Sequence, residues 1–167
     1  MKFLDKYNNK KNIRFASFKK TFDVCLQRNL KNIIETGTAR GKTKFLFFTK
    51  YNWKDGMSTP MFAEFANYVK GTLHTCDISQ ENINNAKKFT KSFSKNIKYY
   101  VQNSLDFLNE FKQPIDLLYL DSLDGHNKKA ASEHQLKELK IALNKLHKNS
   151  LILLDDKGSK TLLSINY

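Results

Sequence analysis

Apolar positions recur along this chain with two periods, near 3.6 and near 2, and the two alternate; this predicts helices and strands in turn. Phe15, Phe18, Phe22 and Leu26 stand at helical spacing within FASFKKTFDVCLQRN (15–29), which predicts a helix whose phenylalanine stripe enters the core. Short apolar runs follow at 31–35, 72–77 (TLHTCD), 97–101 (IKYYV), 115–121 (IDLLYLD) and 150–155 (SLILLD), all of strand length. Helical stretches separate them. One runs from Ser58 or Thr59, either suited to cap it, to about Lys70, with Pro60 near its first turn. A polar helix spans about Gln80 to Lys91 and a short one Leu105 to Phe111. A long amphipathic helix covers about Lys128–His147, with Leu136, Leu139, Leu143 and Leu146 on one face. Residues 42–57 carry many aromatics without a clear period and are expected to be irregular.

Short apolar strands between helices are covered on both faces, which means a parallel sheet. The predicted fold is α/β: a doubly wound, mainly parallel, Rossmann-like sheet with strand order 3-2-1-4-5. A helical segment (1–30) leads into one ligand-binding domain (31–167), a single domain overall. Such sheets bind ligands at the carboxyl ends of their strands, beside the switch point. Here those ends are Glu35, Asp77, Asn103, Asp121 and Asp155, and four of the five are acidic. Four carboxylates on one rim argue for a working edge.

Composition narrows the classes. With 167 residues, 40% of them hydrophobic and 13% aromatic, the chain suits one globular domain with a real core. No run approaches the ~18 apolar residues that cross a bilayer, and MKFLDKYNNKKNIR lacks the apolar stretch of a secretory signal. Cys25 and Cys76 fit neither a disulfide framework nor a zinc pattern, so both are expected reduced, in the cytoplasm, with Cys76 in the core. The net charge of +13 invites an acidic partner. Yet 26 Lys against 3 Arg, with 17 Asn, is what an AT-rich coding sequence produces, and the lysines are spread out. Nucleic acid is therefore not favoured, and an anionic substrate stays open.

The most informative stretch is IIETGTARGKT, residues 33–43. A P-loop needs four residues between its first glycine and the Gly-Lys pair, because that ring of N–H groups must fit a phosphate; here Gly37 and Gly41 are separated by three. The dinucleotide fingerprint fails as well: position 39 is Ala, and Glu35 places a carboxylate where a pyrophosphate would lie. A cationic ligand reverses that objection. S-adenosylmethionine carries a sulfonium and an ammonium and no phosphate. Glu35 would favour it, Gly37 would let the backbone approach, and Asp77 would accept from both ribose hydroxyls. Asn103 and Ser104 would read the adenine edge, with Asp121 near the methyl group.

The chain resembles the class I S-adenosylmethionine-dependent methyltransferases. The resemblance rests on IIETGTARG, LHTCDIS, YYVQNSLDFL, IDLLYLDSLDGH and SLILLDD, in order over about residues 31–156. It is closest to a branch with a longer loop after the first strand, seen here as Trp53–Thr59. The resemblance implies cofactor binding by Glu35, Gly37, Thr38, Gly41 and Asp77, and more weakly by Asp55 and Ser58. Asp121, Asp155 and Asp156 stand where catechol-type O-methyltransferases of this class hold a divalent cation, which implies Mg²⁺ or a similar ion on a substrate hydroxyl pair. Asp121 and the loop residue His126 are the candidate bases; His134, on the long helix, is read as structural or pocket lining.

Two departures from the family pattern matter. Ala39 replaces a glycine common in the first motif. Beyond Asp155, DKGSKTLLSINY is too short for the helix and antiparallel strand pair, six and seven, that usually complete the sheet. The fifth strand is then an edge that LLSINY or a second protomer, as a homodimer, would cover. The expected function is methyl transfer to the oxygen or nitrogen of a small-molecule acceptor, with an anionic one left open. Two alternatives stand beside it: a non-catalytic S-adenosylmethionine-binding module working with a partner, and a P-loop-like nucleotide hydrolase.

Overall fold

The computed structural model describes residues 1–39, 42–45, 48–51, 53, 57–123, 128–155 and 161–164. Gly41, Asp55, His126 and Asp156, all expected at the site, lie outside the described residues. The chain opens with a 3-10 helix, Lys2–Tyr7, and α1, Phe15–Gln27. Then come β1 (Asn32–Thr36), β2 (Lys42–Phe45), β3 (Phe48–Tyr51), α2 (Ser58–Tyr68), β4 (Thr72–Asp77) and α3 (Gln80–Phe89). After a 3-10 segment at Lys91–Asn96 follow β5 (Ile97–Val101), α4 (Ser104–Glu110), β6 (Ile115–Leu120), α5 (Lys128–Ala142), β7 (Leu146–Leu154) and β8 (Thr161–Ser164).

The main sheet runs β5-β4-β1-β6-β7-β8. Its first five strands are parallel, in the predicted order 3-2-1-4-5. β8 adds an antiparallel strand along Leu151–Leu154 of β7, so part of LLSINY covers the edge that the sequence left open. Side chains alternate between two cores, as the pleat requires. Ile33, Leu73, Leu117, Tyr119, Leu151 and Leu153 face α1 and α2. Ile34, Cys76, Leu118 and Leu120 face α4 and α5. Phe18 and Phe22 of the predicted stripe are fully buried; Leu26 is exposed. Phe22 stacks on Phe65 of α2 at 4.4 Å between centroids, and Phe18 and Phe62 meet Tyr119 edge-on or tilted. The 3-10 helix joins the same core through Leu4 and Tyr7, and the Tyr7 hydroxyl donates to Glu64 Oε1 at 2.6 Å.

Three local expectations are corrected. The stretch 42–57 is not wholly irregular: β2 and β3 form a two-stranded antiparallel sheet, with Phe45 opposite Phe48. KTKF and FTKY are four-residue strands with no apolar–polar alternation, so no period marks them in the sequence. Neither Ser58 nor Thr59 caps α2; both lie inside the helix, and Met57 holds the cap position without a side-chain bond. The Thr59 hydroxyl is committed to Glu35 instead. Finally, α5 ends at Ala142, a 3-10 turn follows at Leu143–Lys145, and Leu146 already opens β7. Leu136 and Leu143 face outward, while Ala131, Glu138 and Ala142 are buried. Leu139 and Leu146 of the predicted face do pack against the second core.

Candidate functional site

β1 leads into Gly37, whose φ of +84° lies in the left-handed region. A Cβ there would overlap the Asp121 carbonyl oxygen, and would stand 2.5 Å from the Asp121 carbonyl carbon and 2.8 Å from Ser122 Cα. The Gly37 N–H donates to Cys76 O at 2.9 Å, and the Asp121 N–H donates to Thr36 O at 2.9 Å. The loop is thus pinned between the ends of β4 and β6, at the switch point of the sheet. Gly37 serves both as a turn and as a place where backbones touch.

Glu35, one pleat before this turn on the α2 side, is fully buried. Its Oε2 accepts from Thr59 Oγ1 at 2.8 Å and from Thr75 Oγ1 at 2.7 Å. Each hydroxyl has one proton, so the remaining contacts acquire a direction. Thr59 Oγ1 accepts from the Ala39 N–H at 2.8 Å. Thr75 Oγ1, its proton given to Glu35, accepts from Thr38 Oγ1 at 2.8 Å. Glu35 Oε1 is buried and accepts no hydrogen bond from the described residues. Burial pushes the Glu35 carboxyl up to about 7; the hydroxyls of Ser58, Thr75 and Thr59 pull the other way, and the charge of Asp77 adds to the rise.

Asp77 ends β4 with both oxygens in use. Oδ1 accepts the Ser79 N–H at 2.7 Å. Oδ2 accepts the Thr38 N–H at 3.1 Å and Asn82 Nδ2 at 3.1 Å. Glu35, Thr38 and Asp77 are therefore joined through Thr75 in one hydrogen-bond network beside Gly37, with the Ser58 hydroxyl acting on Glu35. Two of its members were not expected. Thr75 is the register partner of Glu35 and lies two residues before Asp77; strand parity alone would have placed it on this face. Thr59 was read as a cap.

The end of β5 is arranged differently. Asn103 is the N-cap of α4, its Oδ1 accepting the Leu105 N–H at 2.9 Å. The Ser104 hydroxyl lies 3.0 Å from His134 Nε2 on α5. The same nitrogen is 3.5 Å from Glu138 Oε1, and Glu138 accepts from Ser122 Oγ at 2.6 Å. Ser104, His134 and Glu138 do not form a nucleophile triad, because both partners meet one ring nitrogen and the acid does not orient the other. His134 thus has a structural place, joining α5 to the start of α4. Cys76 is buried in the second core with its thiol pushed well up by burial, as a core cysteine should be.

On the opposite half of the rim, the Tyr119 phenol donates to Asp121 Oδ2 at 2.9 Å. Asp155 pairs with Arg14, Nη2 to Oδ2 at 2.8 Å. The expected divalent-cation site at Asp121, Asp155 and Asp156 is not supported. A guanidinium already stands on the carboxylate that would face the ion, and Asp156 lies outside the described residues. Among the described residues no three His, Cys, Asp or Glu side chains gather to hold a metal. Sequence reasoning missed Arg14, which lies 141 positions from its partner.

A doubly wound α/β domain with an acidic rim at its switch point is the class that fold and site define. Residues 53–157, more than half of the chain, match the family described as "Methyltransferase domain", and the chain belongs to that family. No curated protein matches it. Solved structures similar in fold include a methyltransferase from Geobacter sulfurreducens (13% identity, TM-score 0.56, 83% of this chain and 59% of that one). An SAH-bound methyltransferase from Podospora anserina matches at 19% identity and TM-score 0.59 over 83% of this chain and 51% of its own. An rRNA methylase from Streptococcus thermophilus matches at 10% identity and TM-score 0.52, covering 81% and 68%. The chain thus spans between half and three-fifths of the length of the first two.

Proposed function

We propose that the chain is an S-adenosylmethionine-dependent methyltransferase acting on the oxygen or nitrogen of a small, anionic acceptor. The observation that carries this reading is the hydrogen-bonded cluster of Glu35, Thr38 and Asp77 beside Gly37. It presents carboxylates and a tightly packed glycine, and no basic side chain among the described residues pairs with either acid. That chemistry repels a phosphate chain and suits a ligand bearing an ammonium and a sulfonium. The residues fit such a cofactor in that Glu35 Oε1 is buried without a hydrogen bond from the described residues; Gly37 lets the loop turn at positive φ, packed against the Asp121 backbone. Glu35, Gly37, Thr38, Ser58 and Asp77 would hold it, with Asp77 on the ribose hydroxyls. Asn103 and Ser104 would border the adenine, through whatever their cap and histidine bonds leave available. When bound, the cofactor supplies an electrophilic methyl group. The chain's part is to fix the reactants in line and to take a proton from the acceptor. Asp121, which accepts from the Tyr119 phenol, and His126, outside the described residues, are the candidates for that.

Both cysteines are buried free thiols, which supports a reducing, cytoplasmic setting. No helix among the described residues is long and apolar enough to cross a membrane. A homodimer through this edge of the sheet would meet β8, not β7, over Leu151–Leu154.

Calorimetry with S-adenosylhomocysteine tests the reading. Binding is expected, weakened tenfold or more in Asp77→Ala, which is about 1.4 kcal/mol. Tight ATP–Mg binding that Lys42→Ala abolishes would instead make the chain a nucleotide enzyme. Methyl transfer from labelled cofactor into a cell extract separates an enzyme from a binding module. Label that nuclease releases from the macromolecular fraction would make the acceptor an RNA.

A further inference from the structure

We propose that Arg14 is a built-in replacement for a divalent cation: its guanidinium occupies the cation side of the Asp121–Asp155 carboxylates and keeps this rim closed to metal. This deepens the methyltransferase reading and rests on it for its functional meaning, although the occupancy itself can be measured without it.

The register brings the two carboxylates side by side. Leu120 is paired with Leu154, and the Asp155 N–H donates to Leu120 O at 3.1 Å, so the next residue of each strand shares one face. That face is the α1 side: Tyr119, two residues before Asp121, packs against Phe18 of α1 at 5.6 Å between centroids. Burial pushes the Tyr119 phenol well up; the charges of Asp121 and Asp155 add to the rise and that of Arg14 opposes it. Arg14 meets Asp155 with side chains 18% and 8% exposed, a shielded pair and not a solvated one.

The position of Arg14 is unfavourable for its own helix. It holds the N-cap of α1 and makes no side-chain cap bond. A helix start prefers Ser, Thr, Asp or Asn there, and its dipole opposes a cation. What offsets that cost is the contact with Asp155, made across the whole length of the chain.

The consequence is chemical. A hard divalent ion offers open coordination positions on which an acceptor hydroxyl loses its proton. A guanidinium offers fixed charge and a planar fork of donors, and no open position. Deprotonation on this rim then falls to a side chain, and the N-terminal segment becomes part of the acceptor site.

Mn²⁺, followed by the loss of its free-ion electron paramagnetic resonance signal, is the probe. In the intact chain, Mn²⁺ binding is expected to be unchanged by Asp155→Asn. Arg14→Gln is expected to raise Mn²⁺ affinity tenfold or more, and Asp155→Asn in the same chain to cancel the gain. Arg14→Lys, which keeps the charge, should show no gain. Wild-type Mn²⁺ binding that Asp155→Asn weakens tenfold overturns the proposal, as does a folded Arg14→Gln chain that gains nothing. If Arg14→Gln does not fold, the wild-type comparison with Asp155→Asn decides alone. S-adenosylhomocysteine affinity in the wild type should agree within twofold between EDTA and excess Mn²⁺. No binding under either condition counts against the methyltransferase reading and leaves the Mn²⁺ result standing.

Discussion

The two halves of the acidic rim are treated in opposite ways. On β1 and β4, Glu35 and Asp77 meet hydroxyls, N–H groups and one amide. On β6 and β7, Asp155 meets a guanidinium and Asp121 a phenol. The chain has 29 Lys and Arg against 16 Asp and Glu, so cations are abundant. None of the described ones pairs with Glu35 or Asp77, which supports the proposal that this half receives positive charge brought by a ligand. The other half already contains its cation. A row of acids in a sequence therefore carries two meanings, and the partners of each acid separate them.

The strongest way to break the comparison is to separate the halves. Gly37 ties them, since its Cα faces the Asp121 carbonyl. Gly37→Ala meets both a left-handed φ and a backbone overlap, so a loss of about 3 kcal/mol or more is expected, read by chemical denaturation. S-adenosylhomocysteine binding should vanish with it. A loss below about 1 kcal/mol would mean that the loop swings away from Asp121 freely and that the halves are independent.

A smaller effect probes the Glu35 half alone. Glu35 titrates near 4.5 when unfolded and near 7 when folded, so between those values the native state binds the extra proton. Its contribution is greatest below pH 4.5 and is lost as the pH rises through about 7, on the order of 3 kcal/mol for a fully buried group. Glu35→Gln should flatten this part of the stability–pH profile, measured as the difference from wild type between pH 5 and pH 8. Equal slopes in the two proteins would show that Glu35 is ionised throughout, with its hydroxyl shell sufficient. Saturating S-adenosylhomocysteine should lower the Glu35 midpoint, because a bound ammonium favours the carboxylate.

Much of this was legible in the residues. Five apolar runs and their spacing predict the parallel order, and the strand ends identify the rim. The failures share a cause: they depend on partners distant in sequence. Thr59 reads as a helix cap because nothing local shows that Glu35, 24 positions earlier, takes its hydroxyl. Of the face read as Leu136, Leu139, Leu143 and Leu146, only Leu139 and Leu146 pack against the core, since periodicity reports spacing and not which stripe meets the sheet. Asp155 reads as a metal ligand because Arg14 lies at the other end of the chain. The hairpin of β2 and β3 was lost for a different reason: its four-residue strands carry no apolar–polar alternation to register.

The finest test concerns how Asp77 makes room. A carboxylate offers about four acceptor positions, and three are taken: by Ser79 N–H at 2.7 Å, Thr38 N–H at 3.1 Å and Asn82 Nδ2 at 3.1 Å. Two ribose hydroxyls would need two. The backbone donors are fixed by the turn and the pinned loop, so the amide of Asn82 is the one that must leave. Asn82→Ala keeps the helix start, because the Asn82 backbone N–H still meets Ser79 Oγ. The expected result is S-adenosylhomocysteine affinity two- to fivefold tighter, about 0.4–1 kcal/mol, with thermal stability nearly unchanged. Weaker binding would mean that Asn82 stays and contacts the ligand itself. The Glu35 half would then recognise its ligand with an amide as well as with carboxylates, and the contrast with the Arg14 half would rest on Glu35 alone.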